Sequence, residues 1–492
     1  MSTSDNRDNL PPKVTSILNA ALLVSGTTIG GGFLALPTIT DPIGFVPSSV
    51  TLFGVWLYFL FQSFILVEAI QLTRQEEIAK SEEAIERRKR QARMVENDDE
   101  RYFLDEQQSS VSSSSLLMFS SNPGVSTVAR NVFGRSGEVA IGLLLTILIE
   151  ATLVSQISRA GLMIFNGQNY KLGCALSSIS IALLVFGPKR RGVEFASRMN
   201  SFLTGGFLLS TFCVFACGVK LADWNQLGLG SSLSTIKLGK IFDAIPTFLQ
   251  LLVYGEIIPC VCELLDYNTK SIRTAVILGS FLTLCLQISW SGLGIALLSS
   301  STASGMMVND VVTMLLQQGG IVRIPLISLA ITAILTTILG SYLALLTMFN
   351  GIYVKLLSQR ISKDEFTAPH LTDEIDRTKI NSSSSISFQQ RLIVGCSITI
   401  PSLLIASTSP SIFLKAIDFA GSYPVLLLWG VIPPIMTLVQ RFRHRDNKLW
   451  SKRGTVDSSG PSSWLFFLIV ISICMVGMNA KDDMLSYFLK HL

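Results

Sequence analysis

The sequence has few charged residues and almost no histidine. Charged residues make up 15 % of its 492 residues, whereas soluble domains carry roughly 25 %. Only three histidines occur, at positions 370, 444 and 491, and all of them lie in polar stretches or at the C-terminus. The eight cysteines do not show the two-pair spacing of a zinc site. We therefore expect no metal, haem or other cofactor, and no catalytic set of residues within the apolar segments.

The N-terminus lacks the features of a leader peptide. Residues 1–13 are polar and carry both signs of charge, and the apolar run that follows is too long and has no small-residue cleavage site. We expect residues 1–13 to be an N-terminal tail and the first apolar run to stay in the mature protein.

Long apolar runs dominate the rest of the chain. Hydrophobic residues make up 49 % of the sequence, and its mean hydropathy is +0.50. A window of about 19 residues gives eleven candidate spans, which predict an all-α polytopic membrane protein with eleven transmembrane helices. The candidate spans are residues 14–37, 43–72, 138–166, 172–187, 197–219, 242–265, 274–299, 322–352, 391–407, 411–440 and 462–480.

The distribution of basic residues predicts the orientation. With the N-terminus inside, 30 of the 39 lysines and arginines fall in segments on the inner side, as the positive-inside rule requires. The C-terminus is then outside. The net charge of +5 belongs to the connecting segments and does not indicate a nucleic-acid partner. The partner is the lipid bilayer, and either a plasma membrane or an organellar membrane fits.

Two spans contain helix-breaking sequences. The first holds Gly26, Thr27, Thr28 and the glycine run 30–32 before Pro37. Such a break is tolerated at membrane depth only where the freed backbone faces protein, water or a ligand, although Gly26 and Gly30 also fit a helix-packing face. The sixth span holds a second break at residues 254–259. Paired breaks in two five-span halves indicate an inverted-repeat transporter with its binding site at the breaks.

The break sequences resemble those of the tryptophan/tyrosine permease family. The resemblance rests on the run from Gly26 to Pro37 with Gly44-Phe45 after it, on Pro246, on Tyr254–Pro259, and on Asp266 with the basic pair Lys270 and Arg273. Membership implies a leucine-transporter-type fold with a 5+5 inverted repeat and broken helices 1 and 6. It also implies proton-coupled uptake of an aromatic amino acid, with the proton as coupling ion. The charged insert and the residues Glu150 and Arg159 depart from the family pattern.

These observations predict a single transmembrane transporter domain, residues 14–480, with a polar tail at each end. Its first repeat covers about 14–219, its second repeat about 242–440, and its extra span 462–480. A polar insert at 73–137 and a linker at 353–391 lie on the inner side, and both contain a serine run, Ser109–Ser115 and Ser382–Ser385. Residues 481–492 form a C-terminal tail.

An amino acid needs one site for its carboxylate and one for its ammonium group. Backbone amides at the positive end of a half-helix suit the carboxylate, and freed carbonyls suit the ammonium. The candidate substrate-binding residues are Ser25, Gly26, Thr27, Thr28, Gly30, Gly31, Tyr254, Gly255 and Glu256.

Charged residues inside the spans are candidates for function because they are costly there. Glu150 is the first candidate for proton coupling and Glu256 the second, with a structural ion pair as the alternative for each. Arg159 and Asp418 lie at similar depth near the outer side and are candidates for an outer gate. They also fit a permanent pair, or an arginine that snorkels outward. Glu68 and Glu263, near the inner ends, are expected to form structural ion pairs.

The predicted function is secondary active transport of an amino acid, with tryptophan or tyrosine as the expected substrate. A channel would need a polar stripe along several spans, but the few charged residues within the spans are too scattered to form one. A membrane enzyme would need a set of catalytic residues within the spans, and the spans contain no such set. An amino-acid-sensing receptor of transporter descent and a carrier for another neutral amino acid remain as alternatives.

Overall fold

The computed structural model describes residues 14–95, 124–164, 168–186, 192–222, 224, 238–302, 323–365, 388–445 and 460–491. These residues are largely helical, and no β-strand occurs among them. This agrees with the all-α membrane protein expected from the apolar runs. The predicted tail 1–13 and both serine runs lie outside the described residues.

The helices are numbered here in chain order. Their bounds are α1 Val14–Thr28, α2 Leu36–Thr40, α3 Phe45–Val95, α4 Val125–Ile164, α5 Tyr170–Phe186, α6 Gly192–Leu221, α7 Leu238–Leu252, α8 Ile258–Leu264, α9 Thr269–Thr302, α10 Arg323–Glu365, α11 Phe388–Ala406, α12 Ile412–Ala420, α13 Ile432–Arg445 and α14 Ser462–His491. Two 3₁₀ turns, Gly31–Ala35 and Gly255–Ile257, and a π-helix, Gly421–Val431, lie between them.

The long helices support a multi-pass membrane protein. In the described part of the chain, eight helices are long and apolar enough to cross a membrane. A ninth span arises if α1 is joined with Gly31–Thr40, which continues it at an angle of 54°. Tyr170–Phe186 and Arg391–Ala406 are shorter apolar helices. The count of eleven spans and the two repeats of five stay predictions.

Two spans are interrupted in the same way. Ile29 and Gly30 separate α1 from the first 3₁₀ turn, and Val253 and Tyr254 separate α7 from the second. Each 3₁₀ turn leads into a short helix, α2 or α8, which has a proline in its first turn. A proline there costs no hydrogen bond, because the first N–H groups of a helix have no partner within it.

The helix α3 is much longer than a membrane requires. Its 51 residues span about 75 Å at 1.5 Å per residue, whereas about 20 residues cross a bilayer. The charged stretch that begins the predicted insert continues this helix as far as Val95. The next helix, α4, is kinked at Gly134, whose φ of 73° suits glycine. The domain bounds, including the insert 73–137, stay a prediction.

The core surrounds the two breaks. Trp290, Trp429, Tyr254 and Phe33 are among its largest fully buried side chains. Phe33 follows the first break and stacks on Trp290 of α9, with ring centroids 5.1 Å apart. The second half of the first span is thereby held against α9.

A buried ion pair joins α3 to α13. The Arg441 guanidinium donates to both carboxylate oxygens of Glu68, at 2.7 and 2.8 Å. This confirms the structural ion pair expected for Glu68. Removal of one partner from a buried pair costs about 3–5 kcal/mol, so this contact fixes the two helices to each other.

Candidate binding cavity

A cavity of about 640 Å³ lies where the two breaks meet. Its volume is within the range of about 300–1,000 Å³ found for small-molecule sites. Residues of α4, α6, α9, α10 and α12 complete its wall. Seven of the nine predicted substrate residues line it, namely Ser25, Gly26, Thr27, Thr28, Gly30, Gly31 and Glu256.

The other two predicted substrate residues belong to the second break but do not line the cavity. Tyr254 is only 2 % exposed, and its ring centroid lies 6.5 Å from that of Phe59. A Cβ atom on Gly255 would collide with the indole of Trp429. The residues of this break that line the cavity are therefore Val253, Glu256 and Ile257.

Thr337 of α10 holds the first break in place. Its Oγ1 accepts a hydrogen bond from the N–H of Gly31 at 2.9 Å, next to Gly30, whose backbone is extended. The hydroxyls of Thr27 and Thr28 donate to carbonyls of their own helix. The backbone of the glycine run, rather than these hydroxyls, is therefore the polar surface that the break presents.

A glutamine satisfies the backbone at the second break. The amide Nε2 of Gln287 on α9 donates to the carbonyl of Leu251 at 2.7 Å. Because α7 ends one residue later, this carbonyl has no partner further along the helix. Gln287 therefore supplies the hydrogen bond that the interruption removes.

A chain of polar side chains connects the two breaks. Gln250 donates to Thr152 Oγ1 at 3.2 Å, Gln156 donates to Ser155 Oγ at 3.0 Å, and the Ser155 hydroxyl donates to the Thr152 carbonyl at 2.7 Å. The amide of Gln156 lies directly against Gly31. Within the described chain, the side-chain oxygens of both glutamines are buried and have no hydrogen-bond partner. A ligand with N–H donors would satisfy them.

The two candidate proton-coupling carboxylates occupy different places. Glu256 lines the cavity and is exposed. Glu150 of α4 is not among the residues that line it, and it accepts a hydrogen bond from the Ser402 hydroxyl on α11. That hydroxyl also lies 2.7 Å from the carbonyl of Ile398.

The two predicted gate residues lie near α12. Arg159 is buried, and its guanidinium carbon lies 5.1 Å from the ring centre of Phe413. Asp418 follows Phe413 on the same helix and lines a second cavity of about 380 Å³ together with Lys240 and Asp243. The gate stays a prediction.

Several cavity residues are absent from the sequence prediction. They are uncharged polar residues, chiefly Gln156, Gln250, Asn200 and Thr337. An amide side chain within an apolar span is costly unless it is hydrogen-bonded. That cost is the signal that would have identified the two glutamines and Asn200, whereas a threonine gives no such signal because it can bond to its own helix.

Most of the sequence matches a single family model. Residues 13–84 and 114–476 match the model of the Tryptophan/tyrosine permease family. The chain belongs to the tryptophan/tyrosine permease family. The resemblance seen in the two break sequences is thereby confirmed, and this assignment supports amino acid transport by the permease.

Curated relatives share about a fifth of the permease sequence. Tyrosine-specific transport system 1 of Haemophilus influenzae is 22 % identical over 437 residues, which cover 88 % of this chain and 91 % of that protein. Glutamine transporter 2 of Aliivibrio fischeri is 20 % identical over 435 residues, which cover 86 % of this chain and 88 % of that protein.

A solved structure shows the same fold. The crystal structure of MhsT in complex with L-phenylalanine aligns over 95 % of the permease and 98 % of its own chain, with a TM-score of 0.50 and 12 % identity. This likeness shows that the permease has the leucine-transporter type of fold.

Proposed function

We propose that this permease is a secondary active transporter that carries tyrosine or tryptophan across a membrane by proton symport and alternating access. The observation that supports this proposal most directly is the cavity at the junction of two interrupted spans. Helix interruptions of this kind free backbone groups for substrate binding near the bilayer midplane.

The cavity offers complementary groups for both ends of an amino acid. The amides of Gly30 and Gly32, on either side of the N–H that Thr337 holds, suit the carboxylate, because the positive end of the helix dipole lies there. On the other side, the Glu256 carboxylate and the side-chain oxygen of Gln250 suit the ammonium group, whereas the side-chain oxygen of Gln156 lies against Gly31. Hydrogen bonds to charged groups are stronger than neutral ones.

Glu150 remains our first candidate for the proton carrier. The Ser402 hydroxyl lies within hydrogen-bond reach of both Glu150 and the Ile398 carbonyl, but a hydroxyl has only one proton. If Glu150 is protonated, it can donate to Ser402 while Ser402 donates to Ile398. Gain or loss of a proton at Glu150 therefore changes the hydrogen bonds between α4 and α11.

The cavity supports an inward-facing state of an alternating-access cycle. From the breaks it reaches Leu22, Leu148, Asn200 and Ala344, which all lie on the side that the basic residues predict to be inner. On the opposite side, a Cβ on Gly32 would lie 2.6 Å from Leu251 and 3.9 Å from Ile417. The two shorter apolar helices bring the number of apolar segments to the predicted eleven and support the 5+5 arrangement.

The test is uptake of radiolabelled tyrosine, tryptophan, phenylalanine and glutamine into proteoliposomes with an imposed proton or sodium gradient. We expect an inward proton gradient to accelerate uptake of the aromatic amino acids. Glu150→Gln should abolish this acceleration and leave exchange of substrate intact. Glu256→Gln should weaken substrate binding. Glu263→Gln is the matched control, because Glu263 is exposed on α8 and does not line the cavity.

Each alternative has its own outcome. If sodium drives uptake and protons do not, the coupling proposal is wrong. If the protein binds an aromatic amino acid without flux, it is a receptor. If glutamine is preferred over the aromatic amino acids, the substrate proposal is wrong. The name of the Aliivibrio fischeri relative and the amide groups in the cavity make glutamine the neutral amino acid to include.

A further inference from the structure

Two kinds of glycine line the cavity. Those of the glycine run are crowded, because a Cβ at Gly31 would collide with Gln156 and one at Gly32 would lie 2.6 Å from Leu251. In contrast, a Cβ at Gly26 or at Gly340 would meet no atom within 4 Å. The crowded glycines allow close packing of the backbone, but no neighbouring atom in the described chain requires a glycine at Gly26 or Gly340.

Glycine is also unfavourable at these positions for the helix itself. Gly26 lies within α1 and Gly340 in the middle of α10, and alanine is the better residue in a helix interior. Neither glycine has the positive φ that would favour it. The space that the two glycines leave open is therefore the feature that distinguishes them from alanine.

Gly340 follows Thr337 by three residues. Thr337, Gly340, Ser341 and Ala344 form one face of α10, and all four line the cavity. Thr337 holds the N–H of Gly31, so Gly340 lies about one helical turn, roughly 5 Å, from the point where the substrate's carboxylate is proposed to bind. The side chain of a bound amino acid that extends toward the predicted inner end passes Gly340.

An aromatic residue forms another part of the cavity wall. Phe207 of α6 lines the cavity, and its ring packs edge-on against Phe33 with centroids 6.3 Å apart. The hydroxyls of Ser210 on α6 and Ser328 on α10 are hydrogen-bonded at 2.7 Å and join these two helices. Phe207 is therefore a fixed apolar wall beside Phe33, whereas Gly340 lies further along α10 toward the predicted inner end.

We propose that Gly340 sets the upper size limit of the transported side chain, and that the space beside Gly340 and Gly26 holds the aromatic ring. This inference rests on the proposed function and names the subsite and its specificity-determining residue. A larger residue at position 340 reduces the space for large side chains while it leaves the groups that bind the ammonium and carboxylate in place.

The experiment is a size series at one position: Gly340→Ala, Gly340→Val and Gly340→Leu. Uptake and substrate-induced thermal stabilisation are measured over a panel of alanine, valine, glutamine, phenylalanine, tyrosine and tryptophan. We expect the largest accepted side chain to become smaller along the series. Gly340→Ala should lower the tryptophan-to-valine ratio about tenfold, and Gly340→Leu should abolish binding of all three aromatic amino acids. Without substrate, Gly340→Ala should unfold at the same or a higher temperature than the wild type.

Gly477→Leu is the matched control. A Cβ at Gly477 also meets no atom within 4 Å, but this residue is exposed on α14 and does not line the cavity. It should leave the panel unchanged. An unchanged size limit in Gly340→Leu, or an equal loss of all substrates along the series, would overturn the inference. A wild type that accepts no aromatic amino acid would overturn the proposed substrate instead, while the size limit stays readable from the other members of the panel.

Discussion

The two breaks differ in what surrounds their backbone. At the first break, side chains of other helices approach a run of glycines. At the second break, large aromatic side chains fill the space, one from the break itself and one from the π-helix. Thr337 and Gln156 contact Gly31. Within the second break, Tyr254 is buried and Gly255 lies against Trp429. Both breaks nevertheless have the same order of helix, 3₁₀ turn and short helix with an early proline.

The comparison shows that a shared backbone plan does not imply a shared role. The first break presents backbone groups to the cavity along much of its length. The second presents the side chains of Val253, Glu256 and Ile257 to the cavity, whereas its Tyr254 and Gly255 are packed against the core. We infer that substitutions at the first break affect transport first, whereas substitutions of the buried residues of the second break affect stability first.

The largest effects are expected from Gly30→Leu at the first break, on uptake, and from Gly255→Leu at the second break, on stability. A Cβ at Gly30 would lie 3.2 Å from Thr337 Oγ1, so Gly30→Leu should displace Thr337 and remove its hydrogen bond to Gly31. We expect uptake to fall about a hundredfold or more, which corresponds to about 3 kcal/mol, with folded protein still present in the membrane. Radiolabelled uptake and a thermal unfolding curve measure the two effects.

Gly255→Leu is the counterpart at the second break. Because the added side chain would overlap the indole of Trp429, the cost is overpacking of the core, typically about 1–3 kcal/mol and sometimes more. Gly255→Leu should lower the melting temperature, and the uptake per folded molecule should change little. If Gly30→Leu transports normally, or if Gly255→Leu is as stable as the wild type, the contrast between the breaks is wrong.

A smaller effect is expected from two glutamines near the second break. Gln250 lines the cavity, and its oxygen has no partner among the described residues, whereas Gln287 donates to the Leu251 carbonyl. Gln250→Leu should weaken tyrosine binding about tenfold or somewhat more, because a hydrogen bond to a charged group such as the ammonium contributes about 1.5–3 kcal/mol. Gln287→Leu should instead lower the melting temperature, since it leaves a buried carbonyl without its donor.

Two measurements distinguish the effects of Gln250→Leu and Gln287→Leu. The dependence of uptake on tyrosine concentration gives the KM, and thermal unfolding without substrate gives the melting temperature. An unchanged KM in Gln250→Leu would remove Gln250 from the substrate site. A raised KM in Gln287→Leu without any loss of stability would show that this residue acts on the substrate and not on the break.

The smallest effect is expected from the proposed outer gate. Asp418 is only half-buried, so a contact that it makes when the gate closes should contribute about 1 kcal/mol or less, and Asp418→Arg should lower the uptake per folded molecule a few-fold. Arg159 is buried, so Arg159→Asp should in addition lower the melting temperature. The double variant with exchanged charges should recover part of the lost uptake. If the double variant transports no better than either single variant, Arg159 and Asp418 do not act as a pair.

The sequence predicts the first break well because glycine and proline act through the local backbone. Six of the seven predicted residues that line the cavity lie close together in sequence, between Ser25 and Gly31. Tyr254 and Gly255 show the limit of this reasoning. A pattern in one segment gives the position of a break, but it does not indicate which of its residues face a neighbour such as Trp429.

The remaining cavity residues depend on contacts between distant segments. Gly31 and Thr337 are 306 residues apart in sequence, and Gln250 reaches Thr152 across 98 residues. No periodicity within either segment encodes such a pairing. The length of α3 is a similar case, because hydropathy ends the span near residue 72 although the helix continues through the charged stretch.

Leu251 and Ile417, which lie next to Gly32, affect how the transport cycle depends on salt concentration. Leu251 and Ile417 are apolar residues that border the cavity on the side predicted to be outer. Separation of two apolar surfaces costs free energy in proportion to the area exposed to water, about 25 cal/mol per Å², and this cost is not screened by dissolved ions. Opening at this contact should therefore be insensitive to ionic strength, whereas separation of a partly exposed ion pair becomes easier as salt is added.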